Sequence, residues 1–290
     1  MIKRAIQSYW SKPALANPMH YPWLGKTYAY RSWALSVLTL RNYFEEVVLI
    51  TDTPGKHLLI DTLQLPYTQV RVELDELDEL PAGLWAAGKI KAYATQEAPF
   101  VHVDNDIFLW DALPKSLLEA PFLVQSMEHE QDFPDYRNTI DQLAEIEAWM
   151  PTSFDSIRNG SSPILAYNAG LWGGNDLGFI HTFCEAAFAF IQNNRSRWNQ
   201  MNLGDFNSIY EQVLSYQLSK EENVPAQYLM KDYRVHPTMF REVPTKRKFI
   251  HLLSLFKGSY EYCRQLTLRL RRDFPEYHFF LEGLLAKHVL

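Results

Sequence analysis

Only two cysteines, Cys184 and Cys263, occur in 290 residues, which excludes a disulfide framework and a cysteine-built metal centre. No uninterrupted apolar run reaches the roughly 20 residues a membrane-spanning helix needs. The beginning of the chain, Met1-Ile-Lys-Arg4 followed by Ala5 to Trp10, has no long apolar region and no small-residue cleavage site. A reducing, cytoplasmic home is therefore the expectation. Excess basic charge is also missing. With 28 Lys+Arg against 34 Asp+Glu the net charge is −6, which argues against a nucleic-acid partner. Internal repeats, low-complexity segments and Gly/Ser linkers are absent as well, so one domain with a helical tail is favoured over two.

What is present is enough apolar chain, 47% of residues, to bury a full core. Eight tryptophans raise the question of sugar or base stacking, although core packing accounts for most such residues. The charge is unevenly placed. Residues 241–290 carry 10 Lys+Arg against 5 Asp+Glu, a local +5, and the remainder is −11. Within that tail Leu266, Leu270 and Phe274 fall on one helical face with Arg264, Arg271 and Arg272 beside it. That pattern leaves two readings open: peripheral contact with an anionic membrane, or a helix capping the domain.

The most informative stretch is Pro99 to Trp110. Phe100–Val103 is apolar and β-branched, as in a fully buried strand, and it delivers Asp104 and Asp106 one residue apart before the chain turns apolar again. Two carboxylates beside a core strand need a counter-charge, and a hard divalent cation is an economical one. A solvated Asp-Asn-Asp turn is the plainer reading of the same residues.

Along the chain, strands are expected at Ile2–Trp10, Val47–Ile50, Gln69–Leu74, Phe100–Val103, Pro121–Gln125 and Lys246–Leu252. Helices are expected at Thr27–Phe44, Gly55–Leu63, Gly83–Gln96, Asn138–Met150, Asp176–Gln192, Asp205–Lys220 and from Leu255 onward. Asn17–Gly25 reads as a loop, Glu73–Glu79 as a solvated acidic run, and Glu128–Arg137 as a mobile polar loop. Pro163–Gly174 reads as a strand, a small-residue turn at Asn168-Ala169-Gly170, and a second short strand. Alternation of strands and helices means βαβ units and an α/β fold with a mainly parallel sheet. In such sheets ligands lie beyond the carboxyl ends of the strands, where this chain carries Tyr9-Trp10, Thr51-Asp52 and Asp104-Asn105-Asp106.

In this order the motifs resemble those of the nucleotide-diphospho-sugar glycosyltransferases of the GT-A fold, in particular the glycogenin-like family 8 group. Val101 to Asp106 is similar to that family's strand plus D-x-D. Lys89 stands one helix earlier, where the family has a lysine directed at donor phosphate. Asn168-Ala169-Gly170 matches an N-[AS]-G turn lining the sugar pocket, and Glu211-Gln212 an acidic-Gln pair. His251 followed by Lys257 matches a closing H-x₅-K.

The resemblance implies a GT-A domain over residues 1–258, with a helical tail at 259–290 packed on it. It implies Mn²⁺ or Mg²⁺ on Asp104, Asp106 and His251, and a nucleotide-sugar donor, with UDP as the expected nucleoside diphosphate. Lys89, Asn105, Asn168, Ala169, Gly170 and Lys257 would bind that donor, with Tyr9, Trp10 and Asp52 toward its base and ribose. Glu211 and Gln212 would face the anomeric centre, and the family precedent is retention of configuration. The acceptor, whether glycan, glycolipid or another, is not implied. The chain departs from the family pattern at Glu211 in place of Asp, at Ser254 in place of Gly, and at Tyr9-Trp10 in place of a small polar residue. Two other classes stay open: a catalytically silent nucleotide-sugar-binding protein on the same fold, and a metal-dependent phosphohydrolase.

Overall fold

The computed structural model describes residues 1–16, 22–231 and 239–287, with the side chains of Ser254 and Leu255 set aside. The expected loop at Asn17–Gly25 therefore lies largely outside the described residues, as does the side chain at the Ser254 departure. The described strands are β1 (Arg4–Tyr9), β2 (Glu46–Thr51), β3 (Gln69–Val72), β4 (Phe100–Val103), β5 (Ile107–Leu109), β6 (Leu123–His129), β7 (Leu165–Gly174), β8 (Gln227–Tyr228) and β9 (Phe249–His251). The class is mixed α/β, with mostly parallel central strands flanked by helices and a helical C-terminal region, as expected. The chain divides into two compact units. One comprises residues 1–2, 73–102 and 114–233, and the other residues 3–72, 103–113 and 234–290.

In the second unit β1, β2 and β3 lie parallel, with Tyr9 opposite Thr51 and Thr51 opposite Val72. Helix Lys26–Leu40 covers them. Eleven of its fifteen residues are buried, including Arg31, Ser32 and Ser36, so it is a core helix rather than an amphipathic surface one. A separate two-stranded antiparallel ribbon pairs β5 with β9, Ile107 opposite His251 and Leu109 opposite Phe249.

The C-terminal helices Tyr260–Asp273 and Pro275–Ala286 belong to this same unit. Leu266 and Leu270, the face considered for membrane contact, are fully buried. The helix turns that stripe inward because it packs on the helix Lys26–Leu40, and the following helix Pro275–Ala286 adds an ion pair to the same helix, Glu282 to Arg31 at 2.6 Å. The tail also closes on β5, where Trp110 Nε1 donates to Asp273 at 2.8 Å. No helix among the described residues is long and apolar enough to cross a membrane.

In the first unit β6 runs antiparallel to β7 and parallel to β8. Beside β7 lies β4. At Gly173 (φ +151°) a Cβ would stand 2.3 Å from the Phe100 carbonyl, so the two strands approach this closely only with glycine there. Two expectations are corrected here. The Asn168-Ala169-Gly170 segment is not a chain reversal; it lies inside the continuous ten-residue strand β7. The small-residue signal marks an irregularity instead, since the ladder shifts register between Val124–Trp172 and Ser126–Asn168, and the Asn168 side chain accepts from the Gly170 amide at 3.0 Å.

Nor is Glu128–Arg137 a mobile loop. Strand β6 continues to His129 and a helix begins at Asp135, with Glu128 and Tyr136 both buried. A hydrogen bond between those two side chains lets a polar-looking segment enter the core.

The inward face of the tail helix gives a direct stability contrast. Leu266→Ala is expected to lower the unfolding free energy by about 2–5 kcal/mol. Leu268→Ala, two residues on and 48% exposed, is expected to stay within about 0.5 kcal/mol of wild type. Urea unfolding of the two variants checks the pair, and equal losses would contradict the placement of the helix.

Candidate functional site

Three segments of the second unit build a cation site. The turn after β4 is held from below by β1 and by the helix Lys26–Leu40. Gln7 Nε2 donates to the Val103 carbonyl at 3.2 Å, and Ser32 Oγ to the Asn105 carbonyl at 2.8 Å. Gln7 is itself fixed, donating to Ser36 Oγ at 2.9 Å and accepting from Tyr67 at 2.7 Å. From the other side the Leu252 amide donates to the Asp106 carbonyl at 2.9 Å. The Asp turn is thus pinned at both ends, and its side chains are presented by a rigid backbone rather than by a loop.

The β5–β9 register then does what sequence spacing could not. By placing His251 directly opposite Ile107 it brings the imidazole to the carboxylates. Ligand atoms of Asp104, Asp106 and His251 all lie within 4.8 Å of one another, with Asp104 half-buried and the other two buried. Lys257 arrives on the short helix Ser254–Lys257, its Nζ 2.5 Å from Asp106 Oδ2. Asp106 Oδ1 is buried without a well-formed hydrogen bond, His251 Nε2 standing 3.5 Å away. Burial by itself would raise the Asp106 pKa, but the Lys257 ammonium and then His251 outweigh it and hold the carboxyl below the usual carboxylate range.

Two carboxylates and one imidazole, with a buried carboxylate oxygen lacking a good donor, form an oxygen-rich donor set that suits Mg²⁺ or Mn²⁺. The expected ligands Asp104, Asp106 and His251 are therefore brought together, and Lys257 stands with them.

The other expected residues of this unit divide. Tyr9 is half-buried, packed edge-on against Trp33 at 5.5 Å between centroids. Trp10 is buried, and its indole N–H has no hydrogen-bond partner among the described residues. Asp52, expected toward the ribose or base, is tied into its own unit by hydrogen bonds. Its Oδ2 accepts from the Ser11 amide at 2.8 Å and the Ser11 hydroxyl at 2.6 Å, and its Oδ1 from the Gly55 amide at 2.9 Å. Both oxygens serve the cap of the helix at Thr53 and the end of β1. Asn105 contributes its carbonyl to Ser32 and is half-buried.

The first unit holds a polar group of its own. Lys89 Nζ lies 2.6 Å from Glu211 and donates to the Ala169 carbonyl at 3.2 Å, with Glu211 fully buried. Gln212 Oε1 lies 2.5 Å from the Tyr136 hydroxyl, whose one proton it shares with Glu128, and the other Glu128 oxygen accepts from Asn168 Nδ2 at 2.7 Å. Lys89, Asn168, Ala169, Gly170, Glu211 and Gln212, expected on three different elements, thus belong to one buried polar cluster. Glu128 and Tyr136 complete it and were not foreseen. Neither carries a motif, and their only trace is polarity at the end of an apolar strand. Gln7, a lone amide within Ala5-Ile-Gln7, was the more legible omission.

The protein these features define is an α/β protein with a D-x-D turn and a distant histidine converging on one cation site. The chain belongs to a family of unknown function, DUF6734, which it matches over residues 3–283. No curated protein matches it. A solved structure similar to it is the apo form of mouse xyloside xylosyltransferase 1, at 12% identity over 79% of this chain and 85% of that one, with a TM-score of 0.40. That likeness is too slight to bear on function, and it does not single out the glycogenin-like branch.

The cluster in the first unit gives a pH prediction. Burial, reinforced by the Glu128 carboxylate, pushes the Tyr136 phenol well above its ordinary value of 10. A raised folded-state pKa contributes stability that is complete below pH 10 and is lost as pH rises above it, because only the unfolded phenol ionises there. Each such tyrosine steepens the alkaline loss by up to about 1.4 kcal/mol per pH unit. Tyr136→Phe is expected to shallow the slope between pH 10 and 11, measured by denaturant unfolding. An unchanged slope would mean that Tyr136 ionises freely in the folded chain.

Proposed function

We propose that this chain is a metal-dependent glycosyltransferase that takes its sugar from a nucleoside diphosphate donor, with a UDP-sugar as the expected substrate. The observation that carries the reading is the convergence of Asp104, Asp106, His251 and Lys257. The four come from segments about 145 residues apart, yet they meet within one unit around a buried carboxylate. A phosphohydrolase that attacked through the Asp106 carboxylate would need it as a nucleophile, and Asp106 is instead held between Lys257 and His251.

Sugar transfer leaves negative charge on the departing β-phosphate as the bond to the anomeric carbon breaks. A divalent ion bound by the three ligands supplies Lewis-acid neutralisation of that charge. Asp104 and Asp106 orient the ion from a turn that cannot shift without breaking the bonds from Gln7, Ser32 and Leu252. His251 closes the ligand set from β9, and Lys257 offers an ammonium to the diphosphate. Tyr9, Trp10 and Asp52 are proposed toward the nucleoside on the resemblance. Glu211 and Gln212 are proposed for the sugar-facing role on the resemblance, with Lys89 paired to Glu211. Retention of configuration and the division into a 1–258 catalytic part with a 259–290 tail belong to the same proposal.

Thermal melting tests the reading without knowledge of the acceptor. UDP with Mn²⁺ at about 100 times the dissociation constant should add about 2.7 kcal/mol, a rise of several degrees at roughly 2–4 °C per kcal/mol. Either ligand alone should give much less. Asp104→Asn and Asp106→Asn should abolish the combined shift and the release of UDP from a panel of UDP-sugars, and His251→Ala should reduce the shift toward the single-ligand value. A full shift in both Asp variants would remove the metal assignment. A shift with inorganic phosphate equal to that with UDP would favour a phosphate-processing enzyme.

A further inference from the structure

The ammonium of Lys257 occupies an oxygen that a metal would use. Asp106 offers two oxygens, and its side chain is only 5% exposed. Oδ2 is held by Lys257 Nζ at 2.5 Å, and Oδ1 faces His251 Nε2 at 3.5 Å. A divalent ion bonded to Asp106 at about 2.1 Å would share that carboxylate with a full positive charge a few ångströms away. Like charges at that separation in a buried site repel strongly.

The lysine also has the means to leave. Its backbone is anchored, the carbonyl accepting from the Leu24 amide at 3.0 Å and from Cys263 Sγ at 3.1 Å. The side chain beyond that anchor is a flexible four-carbon stem. Its ammonium already stands 5.6 Å from the centre of the Trp23 ring, an aromatic face able to hold a cation that has moved off a carboxylate.

We propose that Lys257 is a resident counter-cation that competes with the divalent metal for Asp106, and that a diphosphate relieves the competition by drawing the ammonium onto itself. The inference rests on reading Asp104, Asp106 and His251 as the metal centre, and it adds an order to the site. Metal alone binds weakly, because it must displace an ion pair. Metal with a nucleoside diphosphate binds well, because the displaced ammonium gains a new anionic partner. The coupling is reciprocal, so the factor by which UDP strengthens Mn²⁺ binding equals the factor by which Mn²⁺ strengthens UDP binding. Lys257 sets that factor. Its benefit to an enzyme is that a metal-loaded site without donor is rarely populated.

The test is Mn²⁺ binding itself, followed by the electron paramagnetic resonance of the free ion with and without UDP. Without UDP, Lys257→Met and Lys257→Gln are expected to bind Mn²⁺ at least about tenfold more tightly than wild type. Lys257→Arg, which keeps the charge, is expected to show no such gain. UDP should strengthen Mn²⁺ binding markedly in wild type and much less in the two neutral variants. Circular dichroism verifies that each variant is folded, and having two neutral substitutions guards against a packing failure in one. Unchanged or weaker Mn²⁺ affinity in both, with binding still lost in Asp106→Asn, would overturn the competition while leaving the metal centre in place. Absence of Mn²⁺ binding in wild type and in every Lys257 variant would overturn the competition and the metal centre together.

Discussion

Everything at the cation site depends on one buried anion. Asp106 is placed in the interior by its position between two apolar strands, and an isolated carboxylate there would be costly. Lys257 and His251 make it tolerable, one by an ion pair and the other by proximity across the β5–β9 ribbon. Removing one partner of such a buried pair typically costs about 3–5 kcal/mol, far more than an exposed pair contributes. The closing segment from β9 to Lys257 is therefore tied to the Asp turn by electrostatics as well as by backbone pairing. A site built this way is stable only while the carboxylate has a cation beside it, and that requirement is the same one that lets it receive a metal.

The first unit solves a similar problem with different means. Glu211 is fully buried and meets Lys89, which also donates to the Ala169 carbonyl. Glu128 accepts from Tyr136 and Asn168, and burial together with the Glu128 carboxylate raises the phenol's pKa. Charge-assisted hydrogen bonds are strong when formed and expensive to lose, and a chain of them fixes side-chain geometry more firmly than apolar packing would. The irregularity in β7 has its place here. By letting Asn168 cap the Gly170 amide with its oxygen, it frees the amide nitrogen for Glu128.

Where local pattern and structure disagree, the reason is consistently a partner distant in sequence. Leu266 and Leu270 read equally well as a membrane face or a core face, and only the helix Lys26–Leu40 decides between them. Asn168-Ala169-Gly170 carries turn chemistry, but β6 beside it keeps the strand straight through a register shift. Glu128–Arg137 looks soluble because its polarity is visible in sequence and the hydrogen bonds that satisfy it are not.

By itself the sequence determined the α/β class, from alternating buried-strand runs and helical periodicity, and it singled out Asp104 and Asp106 as candidate ligands, because two acids at the end of an apolar run call for a counter-charge. It also pointed to His251 and Lys257, though only through motif order. Tertiary structure alone decided that these four meet, since the β5–β9 register joins segments about 145 residues apart and no local pattern encodes a register between distant strands. It alone decided that Lys89 and Glu211 neutralise each other, and that Glu128 and Tyr136 belong to the same cluster. The physical reason is common to all of these. A charge or a hydrogen-bonding group shows its presence in sequence, but its energy is set by the partner and the dielectric around it, and both are supplied by the fold.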